Sequence, residues 1–359
     1  MGKTGLANSH NGIMRESNME LCKICAIILV LLVHSVFPIT GRPLSTSDNN
    51  VTALFWSALS IIGVNVFVLV TGYFSTVPKK KSVLNILFIC LFYAGIKVLF
   101  GLFAHDLDYE SFFFISKANW FVTAYLGMLL LSPALNSCAI TMSKRSFGFL
   151  VLALLIFEAW FGFIPGWGGQ SFSTGYSILS FSILYLLGRY IRLYGFPAFI
   201  VKWSGVLYIV TTVVISLLAY CILMLGWRTD IMIPTFYEYT NPLIIFSAVC
   251  FMLFFTKLKI GQSRFINHLG KSTLAVLLIH TMEPFTTWRK AFFTDLWQSF
   301  SGIQLILYYA LSILAIFVLC CLIDQIRLLL WKPILSYLNK RIERNEIFYL
   351  WQTKFRSLI

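Results

Sequence analysis

The stretch ESNMELCKICAIILVLLVHSVFP, residues 16–38, begins with polar residues and continues as a nearly unbroken apolar run. A helix needs about 20 mostly apolar residues to cross the hydrocarbon core of a bilayer, and this run approaches that length. Lys23 lies at the entrance of the run, and His34 follows eleven residues later. The stretch therefore predicts a membrane-spanning helix with a cation near one end and an imidazole toward the other.

The apolar character of this stretch extends through the whole chain of 359 residues. Hydrophobic residues make up 58% of the sequence, aromatic residues make up 17%, and the mean hydropathy is +0.82. These values are too apolar for a soluble protein. The sequence therefore predicts an all-α integral membrane protein with about ten transmembrane helices. The predicted spans are 21–37, 52–74, 83–103, 119–135, 146–163, 175–194, 204–226, 241–256, 270–286 and 304–326.

The basic residues are distributed unevenly between the two sides of the predicted membrane. The 28 Lys and Arg exceed the 14 Asp and Glu, which gives a net charge of +14. Most of these cations lie at the two termini and in the loops on the same side as the termini, and an excess of Lys and Arg marks the cytoplasmic side. Both termini are therefore predicted to be cytoplasmic, in a multi-pass protein of the inner (plasma) membrane. The positive charge reflects topology in a lipid bilayer, and no nucleic-acid partner is predicted.

Three regions follow from this topology. Residues 1–20 are a polar cytoplasmic N-terminal segment, residues 21–326 form the ten-helix transmembrane domain, and residues 327–359 form a basic cytoplasmic tail. The tail mixes Leu, Trp, Tyr and Phe with basic residues, which is typical of a helix lying in the membrane interface. Because proline interrupts helices, a break is predicted at Pro333.

Ionisable side chains inside the predicted spans are functional candidates, because their burial in a membrane is costly. Each has a structural alternative as well. Near a cytoplasmic end, Lys23 and Asp324 can extend their polar groups to the interface. His280 and Glu283 are three residues apart on one predicted helix and can pair on a shared face. The remaining candidates are His34, together with Lys97 and Glu158, which can neutralise each other or face a water-filled cavity.

His34 and Lys23 suit a long ligand with an anionic head and a reactive tip. Eleven residues correspond to roughly 16 Å along a helix and about three turns, so the two side chains lie on nearly the same face. Coenzyme A thioesters have this shape, with phosphates at one end and the acyl group at the other. An imidazole can act as the general base for a hydroxyl nucleophile, although this geometry alone does not name the ligand.

The sequence resembles the membrane-bound acyltransferase 3 family over roughly residues 15–326. In that family the first span carries an arginine, ten further residues and then a histidine, and a short stretch, here called the lead-in, often precedes this motif. In this chain His34 matches the histidine, and Lys23 stands in place of the arginine. After His280 the sequence TMEPFTTW departs from the family pattern. The lead-in matches at Arg15, Ser17, Asn18, Glu20 and Leu21, and further matching stretches are VNVFVLVTGYF (64–74), NWFVTAYLGMLLLSPALN (119–136), GRYIRLY (188–194) and LGKSTLAVLLIH (269–280).

The resemblance implies an enzyme that transfers an acyl group, usually acetyl, from cytoplasmic acyl-CoA to a hydroxyl of a surface glycan or lipid-linked oligosaccharide. Acetyl-CoA is then the donor substrate, and no metal is expected. His34 is the expected general base, and an acyl-histidine intermediate is the open alternative. The expected phosphate-binding residues are Lys23, Arg15, Lys79, Lys80 and Lys81, and the candidates for stabilising the oxyanion or placing the sugar are Trp120, Tyr125, His280, Glu283 and Glu158.

Two other classes of protein compete with this interpretation. A transporter or flippase for lipid-linked glycans also has many spans and few buried charges, but the sequence shows no clear internal repeat. A membrane scaffold or sensor needs no histidine in the outer half of a span. The presence of a cation and a histidine on the same first helix favours the acyltransferase.

Overall fold

The chain is mostly helical in the part that the structure, a computed structural model, describes: residues 16–37, 43, 50–76, 80–104, 119–164, 172–283 and 285–342. No β-strand occurs within these ranges, so the all-α prediction is confirmed. The α-helices are α1 (Ser17–Val36), α2 (Val51–Ser60), α3 (Gly63–Tyr73), α4 (Lys80–Ala104), α5 (Trp120–Thr141), α6 (Lys144–Glu158), α7 (Ile178–Tyr194), α8 (Ala198–Leu225), α9 (Thr229–Phe236), α10 (Pro242–Thr256), α11 (Arg264–Leu269), α12 (Thr273–His280), α13 (Phe285–Ser299) and α14 (Gly302–Ile342).

Seven segments are long and apolar enough to cross a membrane, by length and composition. They coincide with seven of the ten predicted spans. Of the other three, α7 has 17 residues, α10 has 15 and α12 has only 8. The count of ten spans and the cytoplasmic placement of the termini remain predictions. The seven segments are Ser17–Val36, Val51–Tyr73, Val83–Phe103, Trp120–Thr141, Lys144–Phe163, Ala198–Leu225 and Gly302–Tyr337.

The predicted ninth span, residues 270–286, is not one continuous helix. It starts with a 3₁₀ turn at Gly270–Ser272, continues as α12, and ends as a helix at His280. α11, this 3₁₀ turn and α12 follow one another without a gap from Arg264 to His280, and a turn begins at Thr281. The predicted end at residue 286 was therefore wrong, because hydropathy does not detect a turn inside an apolar run.

The predicted break at Pro333 is also absent. α14 continues through Pro333 to Ile342 and so extends into the predicted tail, residues 327–359. The domain boundary at residue 327 and the interfacial position of the tail remain predictions. At 41 residues, this helix is about 60 Å long and exceeds the hydrocarbon core. Trp331, which stacks on Phe88 of α4 with ring centroids 4.6 Å apart, holds the helix in place next to the proline. Residues 343–359 of the tail lie outside the described residues.

α1 occupies the centre of the bundle. It packs against α2, α3, α10, α11, α12, α13 and α14, and Cys22, Ala26 and Leu31 along its length are fully buried. Because α1 touches helices from both halves of the sequence, its side chains meet residues far away in the chain. The site described below depends on this central position.

A close crossing of α3 and α7 fixes the neighbouring half of the bundle. A Cβ atom added at Gly188 would lie 2.2 Å from the Leu69 carbonyl oxygen, and one at Gly72 would lie 2.0 Å from the Tyr185 carbonyl oxygen. Glycine allows this approach of two backbones, as at many interfaces between membrane helices.

We expect Gly188→Ala to lower the free energy of unfolding by about 1–3 kcal/mol or more, because an added methyl group must displace a backbone carbonyl. Gly95→Ala is the matched control, since a Cβ at Gly95 in α4 meets nothing within 4 Å. Thermal unfolding in detergent measures both variants. Equal melting temperatures for Gly188→Ala and Gly95→Ala would contradict the close crossing.

Candidate active site

Two histidines from distant parts of the sequence meet between α1 and α12. Nδ1 of His34 lies 2.9 Å from Nε2 of His280, and the ring centroids are 5.2 Å apart. His280 is fully buried, whereas His34 is partly buried. The helix of His280 ends at that residue, which places the imidazole at the end of α12, against the last turns of α1.

The second nitrogen of His280 determines which atoms of this pair carry hydrogens. Nδ1 of His280 lies 2.6 Å from the backbone carbonyl oxygen of Val276. A carbonyl only accepts, so Nδ1 of His280 donates, and Nε2 of a neutral His280 is left as an acceptor. His34 must then donate through its own Nδ1, which leaves the lone pair of its Nε2 free. By this assignment from the hydrogen-bond network, His34 Nε2 can accept a proton.

Arg289 completes the surroundings of His34 from the other side. It lies on α13, is 2% exposed, and its Nη1 donates a hydrogen bond to the backbone carbonyl of His34. That carbonyl is in the last turn of α1, where helix carbonyls lack partners and the helix dipole favours a cation. Burial lowers the pKa of Arg289 to about 10, so the side chain still carries its charge at neutral pH.

A cavity of about 750 Å³ runs along α1 from its N-terminal half. One end is cationic, and no carboxylate is among the lining residues in the described part of the chain. Toward the other end the lining becomes apolar and aromatic, and it reaches Val30, about 6 Å or one turn before His34 along the helix. The cations that line the cavity are Lys23, Lys271, Arg327 and Lys332, and the residues at its apolar end include Val30, Val64, Phe67, Phe121 and Leu277.

Lys23 and Tyr125 both line this cavity. Nζ of Lys23 is 2.9 Å from Oε1 of Glu20, so an acidic neighbour holds the lysine on α1. The hydroxyl of Tyr125 shares a 3.1 Å hydrogen bond with Oγ1 of Thr71. The structure therefore places the predicted lysine and tyrosine along one cavity, separated from each other by apolar residues.

Trp120 and Glu158 lie elsewhere. The Trp120 ring stacks on Tyr176 with centroids 4.1 Å apart and also faces Tyr239 at 5.8 Å. Glu158 is 1% exposed at the end of α6, where a π-helical turn, Ala159–Phe163, follows. Neither residue is among those that line the cavity, and within the described ranges no contact joins either to the histidine pair.

Glu158 forms no ion pair with Lys97 in the described part of the chain, which rejects their predicted mutual neutralisation. The Oε2 atom of Glu158 has no hydrogen-bond partner among the described residues. Since α4 packs on α12 and α14 while α6 packs on α7, the two side chains belong to different parts of the bundle. Hydropathy shows which span contains such a residue, but it does not show which other helices that span packs against.

Glu283 does not share a helix with His280, so their predicted pairing at positions i and i+3 is wrong. α12 ends at His280, and Glu283 lies in the turn that follows. Its Oε2 accepts hydrogen bonds from the backbone nitrogen and the hydroxyl of Thr287, at 3.1 and 2.8 Å. Glu283 is therefore bound to the first turn of α13 and is exposed.

The remaining predicted phosphate-binding residues cannot be compared with the cavity. Arg15 and Lys79 lie outside the described residues. Lys80 and Lys81 begin α4, but their side chains lie outside the described part. Their proposed contact with a donor remains a prediction.

Asp324 and Arg327 form a buried pair that the sequence interpretation missed. Arg327 donates to Oδ1 and Oδ2 of Asp324 at 2.5 and 2.7 Å, and the hydroxyl of Tyr93 donates to Oδ1 at 2.8 Å. Asp324 and Arg327 are 0% and 1% exposed, which rules out the predicted extension of Asp324 to the interface. Their spacing of three residues within an apolar run was the available signal.

Lys271, Lys332 and Arg289 were missed for a different reason. Each was counted only as a charge that indicates topology, because Lys271 lies at the start of a predicted span, Arg289 in a predicted loop and Lys332 in the predicted tail. The structure brings the two lysines to one cavity and the arginine to His34. No local sequence signal indicates this, since the contacts depend on how α11–α14 pack around α1.

Comparison with known proteins gives one finding, which covers most of the chain. A family model described as an acyltransferase domain matches residues 16–325, which include α1, the histidine pair and the first 24 residues of α14. Searches of curated proteins and of solved structures found no match.

Proposed function

The chain belongs to the acyltransferase 3 family, and from that membership we propose that it transfers an acetyl group from cytoplasmic acetyl-CoA to a hydroxyl of a cell-surface or exported glycan. Acyl transfer follows from the family. The donor, the acceptor and the roles of individual residues are the proposal. The observation that carries it is the cavity along α1, which is cationic at one end and approaches a histidine pair at the other.

The two ends of the cavity match the two ends of coenzyme A. Lys271 and Lys332 supply positive charge for the phosphates, and Lys23 adds its ammonium group, which is paired with Glu20 at 2.9 Å. The apolar middle suits the slender pantetheine arm. A volume of about 750 Å³ lies within the range of ligand pockets, about 300–1,000 Å³.

The thioester has to reach the last turn of α1, beyond the apolar end of the cavity. Val30 lines the cavity and lies one turn before His34, and Leu277 lines it and lies three residues before His280. Both helices thus run directly from the cavity wall to the histidine pair. We propose that the acyl group of the donor occupies this last turn and that the acceptor hydroxyl approaches from the opposite side.

In the proposed reaction, His34 Nε2 accepts the proton of the acceptor hydroxyl while the hydroxyl oxygen attacks the thioester carbonyl carbon. The carbonyl electron pair moves to oxygen, and collapse of this intermediate expels the coenzyme A thiolate. The thiolate takes the proton from His34 Nε2, which restores the base. The alternative is direct attack by Nε2 to form an acyl-histidine, and it uses the same lone pair.

Label transfer in inverted membrane vesicles from the native host tests this function. Acetyl-labelled acetyl-CoA is supplied to the cytoplasmic face, and label in the glycan fraction is counted with and without the protein. We expect labelling that depends on the protein. If no label is transferred from acetyl-CoA or from longer acyl-CoAs, the proposal fails and a transporter or flippase of lipid-linked glycans becomes the better explanation.

The cationic end of the cavity gives a prediction about donor affinity. We expect the double variant Lys271→Gln/Lys332→Gln to raise the KM for acetyl-CoA about 2- to 30-fold with kcat unchanged. Both lysines are exposed, and exposed charge pairs contribute about 0.2–1 kcal/mol each. Added salt should reduce the difference between wild type and variant.

Lys259→Gln is the matched control for this measurement, because Lys259 is an exposed lysine that does not line the cavity. Its KM for acetyl-CoA should equal that of the wild type. An equal rise in KM for both variants would mean that general surface charge attracts the donor, and would remove the specific role of the cavity lysines.

A further inference from the structure

Arg289 is a buried cation whose hydrogen-bonding capacity is not used up. A guanidinium has five N–H donors. Nη1 donates to the carbonyl of His34, whereas Nε is buried and has no hydrogen-bond partner among the described residues. Leaving a buried charge partly unpaired is costly. The unused donor therefore requires a physical explanation.

Stabilisation of a helix end explains only part of this arrangement. The bond from Nη1 satisfies a carbonyl in the last turn of α1, but a helix end at the interface can be capped without burying a full charge. Glu283, whose charge influences Arg289, is exposed and is bound to Thr287. Arg289 thus keeps its charge in the interior, next to two imidazoles on which that charge acts.

We propose that Arg289 is a catalytic residue that stabilises the oxyanion formed at the acyl carbonyl. This inference rests on the proposed acyl transfer. When the acceptor oxygen bonds to the carbonyl carbon, His34 Nε2 holds the transferred proton and the carbonyl oxygen becomes negative. The Arg289 guanidinium stabilises that charge until the carbon–sulfur bond breaks and the thiolate recovers the proton from His34.

The position of Arg289 favours this role over binding of the donor phosphates. Lys23 and the other cavity cations lie toward the N-terminal end of α1, whereas Arg289 contacts its C-terminal turn and does not line the cavity. Because one nitrogen is fixed on the backbone of His34, the planar guanidinium is held at a constant position relative to the base. A charge that is positioned before reaction is the arrangement that stabilises an oxyanion most effectively.

The test compares Arg289→Gln and Arg289→Lys with Lys290→Gln, which removes the neighbouring cation on the same helix. Three quantities are measured on the full-length protein: acetyl transfer, the Kd of coenzyme A, and the Kd of a trifluoromethyl ketone analogue of acetyl-CoA that forms a tetrahedral oxyanion. For Arg289→Gln we expect about a 10²- to 10³-fold fall in kcat, an unchanged Kd for coenzyme A, and a matching loss of affinity for the analogue. Lys290→Gln should behave as the wild type.

Several outcomes would overturn the inference. Wild-type transfer by Arg289→Gln would do so, and so would slow transfer with unchanged affinity for the analogue, because that pattern indicates a structural role alone. If Arg289→Gln does not fold, Arg289→Lys is judged by the same criterion: its analogue affinity must fall together with kcat/KM. Absence of transfer by the wild type would instead reject the proposed function on which the inference rests.

Discussion

His34→Ala is expected to lower acetyl transfer by about 10²- to 10⁴-fold, the range over which a positioned general base contributes. The free lone pair of His34 Nε2 follows from two hydrogen bonds, from His34 to His280 and from His280 to the Val276 carbonyl. Alanine removes the proton acceptor. Nε2 of His280 lies 2.9 Å from Nδ1 of His34 and therefore not where the reacting Nε2 of His34 lies. Label in the glycan fraction of inverted vesicles, at equal protein level, measures the loss.

Ser35→Ala is the matched control for His34→Ala. Ser35 is the next residue on α1, is buried, and donates its hydroxyl hydrogen to the Leu31 carbonyl at 2.6 Å. Its variant should transfer acetyl at the wild-type rate and bind coenzyme A with unchanged Kd, as should His34→Ala. Transfer by His34→Ala at the wild-type rate would remove His34 from the mechanism under both the general-base and the acyl-histidine routes.

The sequence predicts individual membrane-spanning helices well, because the hydropathy of a segment depends only on its own residues. The long apolar runs that form α1 and α8 could therefore be located without knowing which helices they pack against. The end of α12 at His280 and the continuation of α14 through Pro333 were not predicted. Both depend on packing against other helices, as the stack of Trp331 on Phe88 shows.

The same distinction applies to the site. His34 and Lys23 were predicted because both lie on one helix, where spacing gives their separation. His280 was found as an ionisable residue in a span, but its contact with His34 joins residues 246 positions apart. Arg289 and Lys332 were missed because counting charges by side of the membrane discards the position of each charge within the bundle.

His280→Leu is expected to lower acetyl transfer by about 10²- to 10⁴-fold without changing the Kd of coenzyme A. Leucine fits a fully buried position but offers no acceptor for the Nδ1 hydrogen of His34. The imidazole of His34 is then free to rotate, or to carry its hydrogen on Nε2 instead of Nδ1. A base that reacts through Nε2 must have no hydrogen on that nitrogen. A wrong tautomer of this kind costs about 10⁴-fold in a serine protease triad when the residue that orients the histidine is altered.

His280→Gln separates this positioning role from simple packing. The amide oxygen of glutamine can accept the hydrogen bond from His34 Nδ1, so we expect His280→Gln to retain at least tenfold more activity than His280→Leu. The two variants should have similar melting temperatures in detergent. Equal activities of His280→Leu and His280→Gln would contradict the positioning role, because the accepted hydrogen bond would then have no effect on catalysis. A difference between them would show that a residue on α12 determines which nitrogen of His34 reacts.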